Sequence, residues 1–392
     1  MVDTKLCPVC NECGGCSYQG VSYEDQLKNK EGEVKGLLKR AGINENLLEG
    51  IAGCPVRYAY RNKMEYTFGN AVKDGPTLLG LHRKGSFISV VDASSCMLVT
   101  EDFNRILSAT LEYVKEKSYT HYHKKFHTGL MRSLIIRKGF RTGELLINVV
   151  TAGQDTDGRT FDEEEYVNKI TNLTLDDTII GILHTVNDNV SDTVNCDELR
   201  VLTGRPYYEE VIMGLRFKVA AFSFFQTNVE AAERLYKDAI SLIDGLEGKT
   251  VYDLYCGTGT ITQAMALKAR KVIGVEIVEE AIETAKISAK LNGLVNCSFI
   301  ADDVQNALSS ITDKPDVIVV DPPRAGISPK ALSQILSYGV NQIIYISCNP
   351  KTLAENLRAC IMQGYEPVKI KAYDNFPFTK HTECITLLEK KK

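Results

Sequence analysis

The sequence predicts an α/β protein in which a mixed α+β region precedes a mostly parallel, seven-stranded sheet. From about residue 206 onward, apolar runs of strand length alternate with helical stretches, and this alternation is typical of a parallel sheet covered by helices on both faces. Between residues 57 and 205, short runs of alternating apolar and polar residues prevail, which indicates antiparallel strands. The chain of 392 residues also exceeds what one compact core usually supports, so we expect several domains.

Four segments are expected along the chain, namely residues 1–20, 21–50, 51–205 and 206–392. The first is rich in cysteine and in turn-forming residues. The second contains an amphipathic helix from Tyr23 to Ala41 that stops at Gly42, and we expect it to pack on the last domain.

The third segment is predicted to be a central domain with a sheet and two helices. Helical spacing predicts helices at Glu101–Lys117 and Asp162–Thr171. Apolar alternation predicts strands at Met64–Phe68, Leu78–Leu81, Phe87–Val91, Leu134–Ile136, Leu145–Val150 and Thr178–Val186.

The last domain shows the regular alternation of strand and helix. Helical stretches such as Glu279–Leu291 and Pro329–Tyr338 separate its strands, and two further strands between Tyr365 and Leu388 lack a helix between them, which predicts an antiparallel edge. The five predicted parallel strands are Thr250–Tyr255, Lys271–Glu276, Ser298–Ala301, Asp316–Val320 and Gln342–Ser347.

Composition argues against export and against a membrane protein. The first twenty residues carry charges and cysteines instead of an apolar stretch, and no run of about 18 uninterrupted apolar residues occurs. We therefore expect a cytoplasmic monomer without a membrane or protein partner. Because the cytosol keeps thiols reduced, the twelve cysteines indicate metal binding and catalysis instead of disulfides.

The formal net charge of −4 conceals a basic segment between residues 115 and 141. Aromatic residues, three histidines and one acid are interleaved with eight basic residues: Lys115, Lys117, Lys124, Lys125, Arg132, Arg137, Lys138 and Arg141. This pattern fits a single-stranded RNA surface, because phosphates pair with basic side chains and bases stack on rings. A solvated helix and hairpin would have the same composition, so the segment alone leaves both interpretations open.

A glycine-rich turn, Asp253–Thr260, follows the first parallel strand. Glycines at this place let the backbone turn sharply beside a bound nucleoside. Glu276 ends the next strand, where it can accept hydrogen bonds from ribose hydroxyls. An NAD-dependent dehydrogenase is the competing interpretation, but Thr262 replaces the third glycine of the dinucleotide fingerprint. The acidic form of the motif therefore favours S-adenosylmethionine.

Two motifs end the fourth and fifth parallel strands, Asp-Pro-Pro-Arg-Ala-Gly at Asp321–Gly326 and Ser-Cys-Asn-Pro at Ser347–Pro350. Ligands of open α/β sheets bind at the carboxyl ends of strands, so Cys348 is expected to face the cofactor crevice. The start of the following helix is expected to stabilise its thiolate. Most cysteines are small buried hydrophobes, but this position favours a nucleophile.

From Phe222 to Glu389 the chain resembles the catalytic domain of the RNA uridine-5-methyltransferase family, which acts on bacterial 23S ribosomal RNA and on tRNA. The resemblance implies a class I, Rossmann-like methyltransferase domain that uses S-adenosylmethionine. Five motifs in order carry it: Phe224–Asn228, Asp253–Gly259, Asp321–Gly326, Ser347–Pro350 and His381–Cys384.

The resemblance also implies roles for single residues. Cys348 would attack carbon 6 of the uracil, because carbon 5 is too weak a nucleophile to accept a methyl group unaided. Glu383 would then remove the proton from carbon 5 as the general base. The target uridine would be flipped out of its helix, with Phe224 as a candidate to stack on it. The implied S-adenosylmethionine contacts are Gln226, Tyr255, Glu276 and Asp321.

Four cysteines at three-residue spacing, Cys7, Cys10, Cys13 and Cys16, indicate a metal site, and the spacing alone leaves zinc open. In the resembled family, three ligands follow a pattern matched here by Cys7, Cys13 and Cys16, and a distant fourth corresponds to Cys96. The resemblance therefore implies a [4Fe–4S] cluster on these four residues. Cys10 competes with Cys96 for the fourth position. The remaining cysteines are expected to be structural: Cys54, Cys196, Cys256, Cys297, Cys360 and Cys384.

The expected function is S-adenosylmethionine-dependent methylation of carbon 5 of a uridine in RNA, with 23S ribosomal RNA as substrate. Three alternatives remain open. The first is a tRNA uridine-5-methyltransferase, and the second is a methyltransferase that acts on an exocyclic amine, which needs no cysteine nucleophile. The third is a non-catalytic iron–sulfur RNA-binding protein.

Overall fold

The structure, a computed structural model, describes residues 5–189 and 197–391. Within these ranges the chain forms a seven-stranded sheet, an eight-stranded sheet, a two-stranded hairpin and nine α-helices. The predicted fold class is confirmed. The four segment boundaries stay predictions, and Cys196 lies outside the described residues.

Residues up to 205 contain one helix and one strand ahead of the central elements. In chain order the elements are α1 (Tyr23–Arg40), β1 (Leu48–Ala52), β2 (Lys63–Gly69), β3 (Leu78–His82), β4 (Val90–Asp92), α2 (Glu101–Glu116), β5 (Met131–Gly139), β6 (Glu144–Thr151), α3 (Glu163–Thr171), β7 (Thr178–Val186) and β8 (Glu198–Gly204). Strands β2 to β8 form the seven-stranded sheet in the order β4-β3-β2-β5-β6-β7-β8, with β6 and β7 parallel and the other pairs antiparallel.

Residues after 205 begin with a hairpin and continue as the alternating domain. The elements are β9 (Tyr207–Ile212), β10 (Leu215–Ala220), α4 (Val229–Ser241), β11 (Thr250–Leu254), α5 (Thr260–Ala266), β12 (Lys271–Glu276), α6 (Glu279–Leu291), β13 (Cys297–Ala301), α7 (Val304–Ser310), β14 (Val317–Val320), α8 (Pro329–Ser337), β15 (Gln342–Ser347), α9 (Pro350–Met362), β16 (Tyr365–Tyr373) and β17 (Glu383–Lys390).

The large sheet has the order β1-β16-β17-β15-β14-β11-β12-β13, and β17 runs antiparallel to its two neighbours. The sequence predicts seven strands here, and the eighth is β1, which pairs in parallel with β16. Strand β1 is separated from β16 by more than 300 residues, so no local pattern relates the two. Helix α1 leads into β1 and buries Val34 and Leu38 in the same hydrophobic core as Leu353 and Leu357 of α9.

The β9–β10 hairpin lies between the two large sheets. Its Tyr208 and Phe217 share one hydrophobic core with Leu146 of the central sheet and Val251 of the large sheet. The buried Glu210 carboxylate accepts hydrogen bonds from the backbone amides of Phe140 and Arg141. A continuous core therefore fixes the central sheet against the domain that carries the parallel strands.

Among the residues that the structure covers, no helix is both long and apolar enough to cross a membrane. One central strand differs from its prediction, since Phe87–Val91 was expected and β4 begins only at Val90. Residues 83–89 instead form a turn that leaves Phe87 and Ile88 largely exposed. Two large apolar residues in succession resemble a strand in sequence even when water surrounds both.

Candidate active site

The turn after β11 has a backbone that only certain residues can adopt. Tyr255, Gly257 and Gly259 all have positive φ angles, of 67°, 54° and 75°. At Gly259 an added Cβ would lie 2.6 Å from the Phe299 ring, whereas at Gly257 nothing lies within 4 Å. Gly259 therefore serves the packing of the turn, and Gly257 leaves open space on its outer side. The non-glycine Tyr255 holds a strained conformation, which is common at ligand sites.

Glu276 stabilises this turn from the end of β12. Its carboxylate accepts hydrogen bonds from the backbone amides of Gly257 and Val278, both at 3.1 Å. At the end of β13, Asp303 caps α7 by accepting from the amide of Gln305 at 2.8 Å. Acidic side chains therefore follow two neighbouring strands at the edge where a nucleoside would bind.

Buried carboxyl groups surround the centre of this edge. Asp253 is fully buried and accepts a hydrogen bond from the hydroxyl of Thr262. Burial raises the pKa of the Asp253 carboxyl to about 7, and burial likewise raises the pKa of Asp321 to about 7. Several carboxyl groups close together in a low-dielectric crevice favour a cationic ligand, because a nearby positive charge stabilises their ionised forms.

Gln226 reaches the crevice from the segment before α4. Its side-chain amide donates to the hydroxyl of Tyr236 at 2.8 Å, and its backbone carbonyl accepts from Asn62 at 3.1 Å. The buried Tyr236 lies within the electrostatic influence of Asp321 and Glu383, so it links Gln226 to the crevice. Tyr236 is not among the predicted site residues, because helix α4 was not predicted, although Asn228 at its N-cap and the apolar spacing after it indicate a helix.

The register of β15 and β17 places Cys348 opposite Glu383. These antiparallel strands pair Ser347 with Cys384, so the next pair outward is Cys348 and Glu383. The carboxyl group also acts on the thiol, since burial, Glu383 and Asp321 raise the pKa of Cys348 to about 11. Burial and the neighbouring Asp321 raise the pKa of Glu383 to about 8.

The expectation that the start of the following helix stabilises the Cys348 thiolate stays a prediction. Helix α9 begins at Pro350 with Asn349 as its N-cap, while burial and two carboxyl groups raise the pKa of the thiol. Arg324 opposes them, because its positive charge lowers the pKa of both Cys348 and Glu383.

Arg324 itself is positioned by a partner that the sequence did not indicate. Its guanidinium forms a hydrogen bond with the His381 ring at 3.0 Å. The His381 ring in turn meets Phe376 edge-on, with ring centres 6.2 Å apart. Phe224, the candidate stacking residue, has 72 % of its side chain exposed at the same motif as Gln226. The structure therefore brings the glycine turn, Asp321, Cys348 and Glu383 to one edge of the large sheet, and Gln226 is connected to them through Tyr236.

The predicted cluster ligands lie in a separate region. The segment from residue 5 to residue 22 docks on the end of β3, where the amide of Gly14 donates to the carbonyl of His82 at 2.9 Å. Cys16 and Cys96 pack against the same small hydrophobic core, which contains Tyr60 and Phe378. Among the described residues, no group of three or more His, Cys, Asp or Glu side chains is arranged so that it could hold a metal ion.

The thiols of Cys7, Cys13, Cys16 and Cys96 nevertheless act on one another. Burial raises the pKa of Cys16 to about 12, and the charges of Cys96, Cys13 and Cys7 contribute. Burial also raises the pKa of Cys96, with contributions from Cys7 and Cys13, and Cys13 contributes to the raised pKa of Cys7. Every pair among the four thiols is therefore electrostatically coupled. Cys10 contributes to the pKa of Cys7, and its own thiol points to Asn11.

Four of the eight basic residues in the segment are buried or paired with carboxylates within the protein. Arg137 is buried and donates to the carbonyl of Ser223 at 2.7 Å. Three further basic residues form ion pairs with carboxylates: Lys117 with Asp162 and Glu165, Lys138 with Asp177, and Arg141 with Glu233. Arg137 and Lys138 are therefore too deeply buried to form part of an RNA surface, and carboxylates already balance the charges of Lys117 and Arg141.

Exposed aromatic and basic residues of this segment lie together in the turn at residues 121–128, called here the histidine turn. The His123 and Phe126 rings stack with centres 4.5 Å apart, and the Lys125 ammonium lies 5.7 Å from the Phe126 ring centre. Phe126 is 65 % exposed. The guanidinium of Arg132 lies 4.2 Å from the ring centre of Tyr122. The turn therefore presents aromatic faces together with positive charge.

We expect Glu383→Gln to raise the rate at which iodoacetamide alkylates Cys348 at pH 8. The neutral amide removes a charge that raises the thiol pKa, so the thiolate forms at lower pH. A fall of one pKa unit gives about a threefold faster reaction, because weaker nucleophilicity partly offsets the larger thiolate fraction. Mass spectrometry of the Cys348 peptide measures the rate, with half-buried Cys297 as the internal control. An unchanged rate would contradict the coupling.

Comparisons with known proteins extend over nearly the whole chain. The family model described as tRNA (uracil-5-)-methyltransferase matches residues 207–391. An uncharacterized RNA methyltransferase of Caldanaerobacter subterraneus subsp. tengcongensis is 50 % identical over 384 residues, which are 98 % of this chain and 84 % of that protein. One from Clostridium tetani is 46 % identical over 385 residues, with the same shares covered.

A solved structure agrees with this result. The Pyrococcus abyssi tRNA (uracil-54, C5)-methyltransferase, in complex with S-adenosyl-L-homocysteine, matches with a TM-score of 0.77 and 26 % sequence identity. The match covers 96 % of this chain and 86 % of that one. The large sheet thus has the class I methyltransferase fold, and the chain belongs to the RNA uracil-5-methyltransferase family.

Proposed function

We propose that this protein methylates carbon 5 of a uridine in RNA through a covalent bond to Cys348, with 23S ribosomal RNA as its substrate. The observation that carries the proposal is the register of β15 and β17, which sets a thiol opposite a carboxyl group, Glu383, beside Asp321. A covalent attack followed by removal of a proton needs a nucleophile and a base that reach the same ring.

Each residue has one task in this reaction. The Cys348 sulfur bonds to carbon 6 of the uracil, and carbon 5 becomes an electron-rich enolate carbon that takes the methyl group. Glu383 as a carboxylate then accepts the proton from carbon 5. The electron pair of that C–H bond forms the 5,6 double bond, and the carbon–sulfur bond breaks to return the thiolate. Arg324 favours both charged forms, because it lowers the pKa of Cys348 and of Glu383.

The residues at the ends of β11, β12 and β14 have the chemistry expected of a site for S-adenosylmethionine. This cofactor supplies a methyl group on a positively charged sulfur when bound. The residues that would hold it are Gln226, Tyr255, Glu276 and Asp321, and their neighbourhood combines an open turn at Gly257 with several carboxyl groups. A positive charge there would lower the raised pKa values of Asp321 and Glu383, so the general base would become ionised when the donor is in place.

tRNA is the second candidate substrate, since the Pyrococcus abyssi protein of the same fold acts on uracil 54 of tRNA. The two substrates are separated by mapping 5-methyluridine in 23S ribosomal RNA and in tRNA, with and without the gene. We expect the modification to disappear from 23S ribosomal RNA and to return with the wild-type gene. Its loss from tRNA alone would contradict the ribosomal assignment.

Cys348→Ala is expected to abolish methylation in the same mapping experiment, by about a thousandfold or more in the purified enzyme. The reason is that carbon 5 stays unactivated without the sulfur nucleophile. Cys297→Ala is the matched control, because this cysteine lies on β13 away from Glu383. Methylation retained by Cys348→Ala would instead support transfer to an exocyclic amine, and wild-type protein that never transfers a methyl group would support a non-catalytic RNA-binding role.

The RNA is proposed to contact the histidine turn, which combines exposed rings and positive charge. Phe126→Ala should weaken binding of the substrate RNA about tenfold, since a base stacked on an aromatic ring contributes about 1–3 kcal/mol. Lys125→Ala should reduce the slope of log affinity against log salt by about 0.7, as expected for one lost phosphate contact to a single strand. Filter binding over a salt series measures both changes.

Met362→Ala is the matched control for Phe126→Ala. Met362 is also largely exposed, but it ends α9 at the side of the large sheet away from the crevice. An affinity that falls equally in both variants, or in neither, would contradict a role of the histidine turn in RNA binding.

A [4Fe–4S] cluster on Cys7, Cys13, Cys16 and Cys96 is proposed from the cysteine pattern and from the coupling of these four thiols. Cys96→Ala should remove the broad visible absorption and most of the iron from protein purified without oxygen, whereas Cys10→Ala should retain both, because Cys10 is not a ligand. Iron and sulfide analysis quantifies the difference. Retention of four irons by Cys96→Ala together with their loss in Cys10→Ala would make Cys10 the fourth ligand.

A further inference from the structure

The loop between β16 and β17, residues 374–382, controls the position of the proposed general base. The antiparallel register pairs Tyr373 with Glu383, so the loop starts and ends at this pair. Inside it, Phe378 is buried and has a φ angle of 65°, a conformation that a phenylalanine adopts only when its surroundings impose it. The loop is therefore held by other parts of the chain.

Four consecutive carbonyl groups of this loop accept hydrogen bonds from distant residues. Asn228 donates to Asn375 at 2.7 Å, Lys30 to Phe376 at 3.2 Å, and Tyr60 to Pro377 at 3.1 Å. The carbonyl of Phe378 accepts from the backbone amides of Ser17 and Tyr18 at 2.8 and 2.9 Å. This loop is thus held from four parts of the chain: residues 5–22, called here the cysteine segment, helix α1, the residues before β2, and the N-cap of α4.

Lys30 is the charged member of this set. It lies on α1 with a fully buried side chain, and its ammonium is 2.6 Å from Oδ1 of Asp374, which is also fully buried. The same Oδ1 atom accepts from the amide of Phe376 at 3.2 Å. A buried charge is tolerated only with a partner, and removal of one member leaves the other unpaired at high cost. The pair therefore fixes the start of the loop firmly to α1.

The other end of the loop carries the groups that act in the crevice. His381 forms the hydrogen bond to Arg324, and its ring meets Phe376, whose carbonyl is bound by Lys30. Glu383 follows two residues later. Through these contacts the Lys30–Asp374 pair restricts the position of the Glu383 carboxyl group. It also restricts the guanidinium of Arg324, whose positive charge lowers the pKa of Glu383.

We propose that Lys30 is a positioning residue, which through Asp374 and Phe376 holds the loop so that Glu383 can reach the proton on carbon 5. The inference rests on the proposed function. Cys348 directly follows β15 and is not part of the loop, so its attack and the methyl transfer depend less on Lys30. Removing the pair therefore slows the last step, in which Glu383 takes the proton and the carbon–sulfur bond breaks.

The test uses Lys30→Met, which keeps the length of the side chain and removes its charge. Lys35→Met on the same helix is the control, because Lys35 forms a partly exposed pair with Glu31. For Lys30→Met we expect kcat to fall about 10- to 100-fold and KM for RNA to fall with it, because the step after covalent attack then limits turnover. A covalent enzyme–RNA complex should accumulate on unmodified RNA, which denaturing gel electrophoresis detects. Lys35→Met should behave as wild type in both assays.

The double variant Lys30→Met with Asp374→Asn separates positioning from stability. Removing both charges should restore the melting temperature, but the hydrogen bond to Phe376 stays lost, so the low kcat and the accumulated complex should remain. If kcat instead recovers together with stability, or if Lys30→Met has wild-type kcat, the proposal is overturned. Should Lys30→Met fail to fold, the double variant alone decides.

The proposed function fails in a distinguishable way. In that case wild-type protein and Lys30→Met would both lack a covalent complex with RNA under all conditions. Failure of the Lys30 proposal alone leaves wild-type turnover dependent on Cys348 and shows no accumulation in the Lys30 variants.

Discussion

Crowding a thiol and several carboxyl groups into one half-buried crevice is the constraint on which this site depends. Burial raises the pKa values of Cys348, Glu383 and Asp321, and neighbouring carboxyl groups add to the rise for Cys348 and Glu383, so the ionised forms of these groups are disfavoured. A nearby positive charge opposes this effect. Arg324 supplies part of this charge, and the proposed sulfonium donor would supply the rest. In this account, the ionisation of the reactive groups depends on whether the methyl donor is bound.

The fold serves this arrangement at two levels. The parallel strands bring the glycine turn, Glu276, Asp321 and Cys348 to one edge, and the antiparallel β17 returns Glu383 to the same edge. The remaining chain restricts how this edge can move. The β9–β10 hairpin joins the two large sheets through a shared core, and α1, the cysteine segment and α4 together hold the loop before Glu383.

Much of the fold could be predicted from sequence because its signals are local. The strands β12 and β15 and helix α6 agree with their predictions at both ends, since alternating apolar runs and turn residues mark them. Strand β1 and the hairpin β9–β10 could not be predicted in this way. Their pairing partners or packing surfaces lie far away along the chain, and their own composition is ordinary.

The site shows the same division. Motifs named Cys348, Glu383 and Asp321, because each stands at a strand end within a short pattern. The prediction of an RNA surface at residues 115–141 rests on local composition. In the structure, carboxylates that are distant in sequence, such as Asp177 and Glu233, neutralise part of this charge. Likewise neither Lys30 nor Asp374 belongs to a motif, and only the folded chain brings them together. Composition does not reveal which charges face each other.

The central claim is that the sulfur of Cys348 bonds to the uracil during methyl transfer. RNA with 5-fluorouridine at the target position tests it, because fluorine on carbon 5 cannot be removed as a proton and the covalent intermediate cannot resolve. With S-adenosylmethionine present, the account predicts a stable protein–RNA complex whose crosslinked peptide contains Cys348. Complete absence of such a complex, under conditions in which ordinary RNA is methylated, would contradict it.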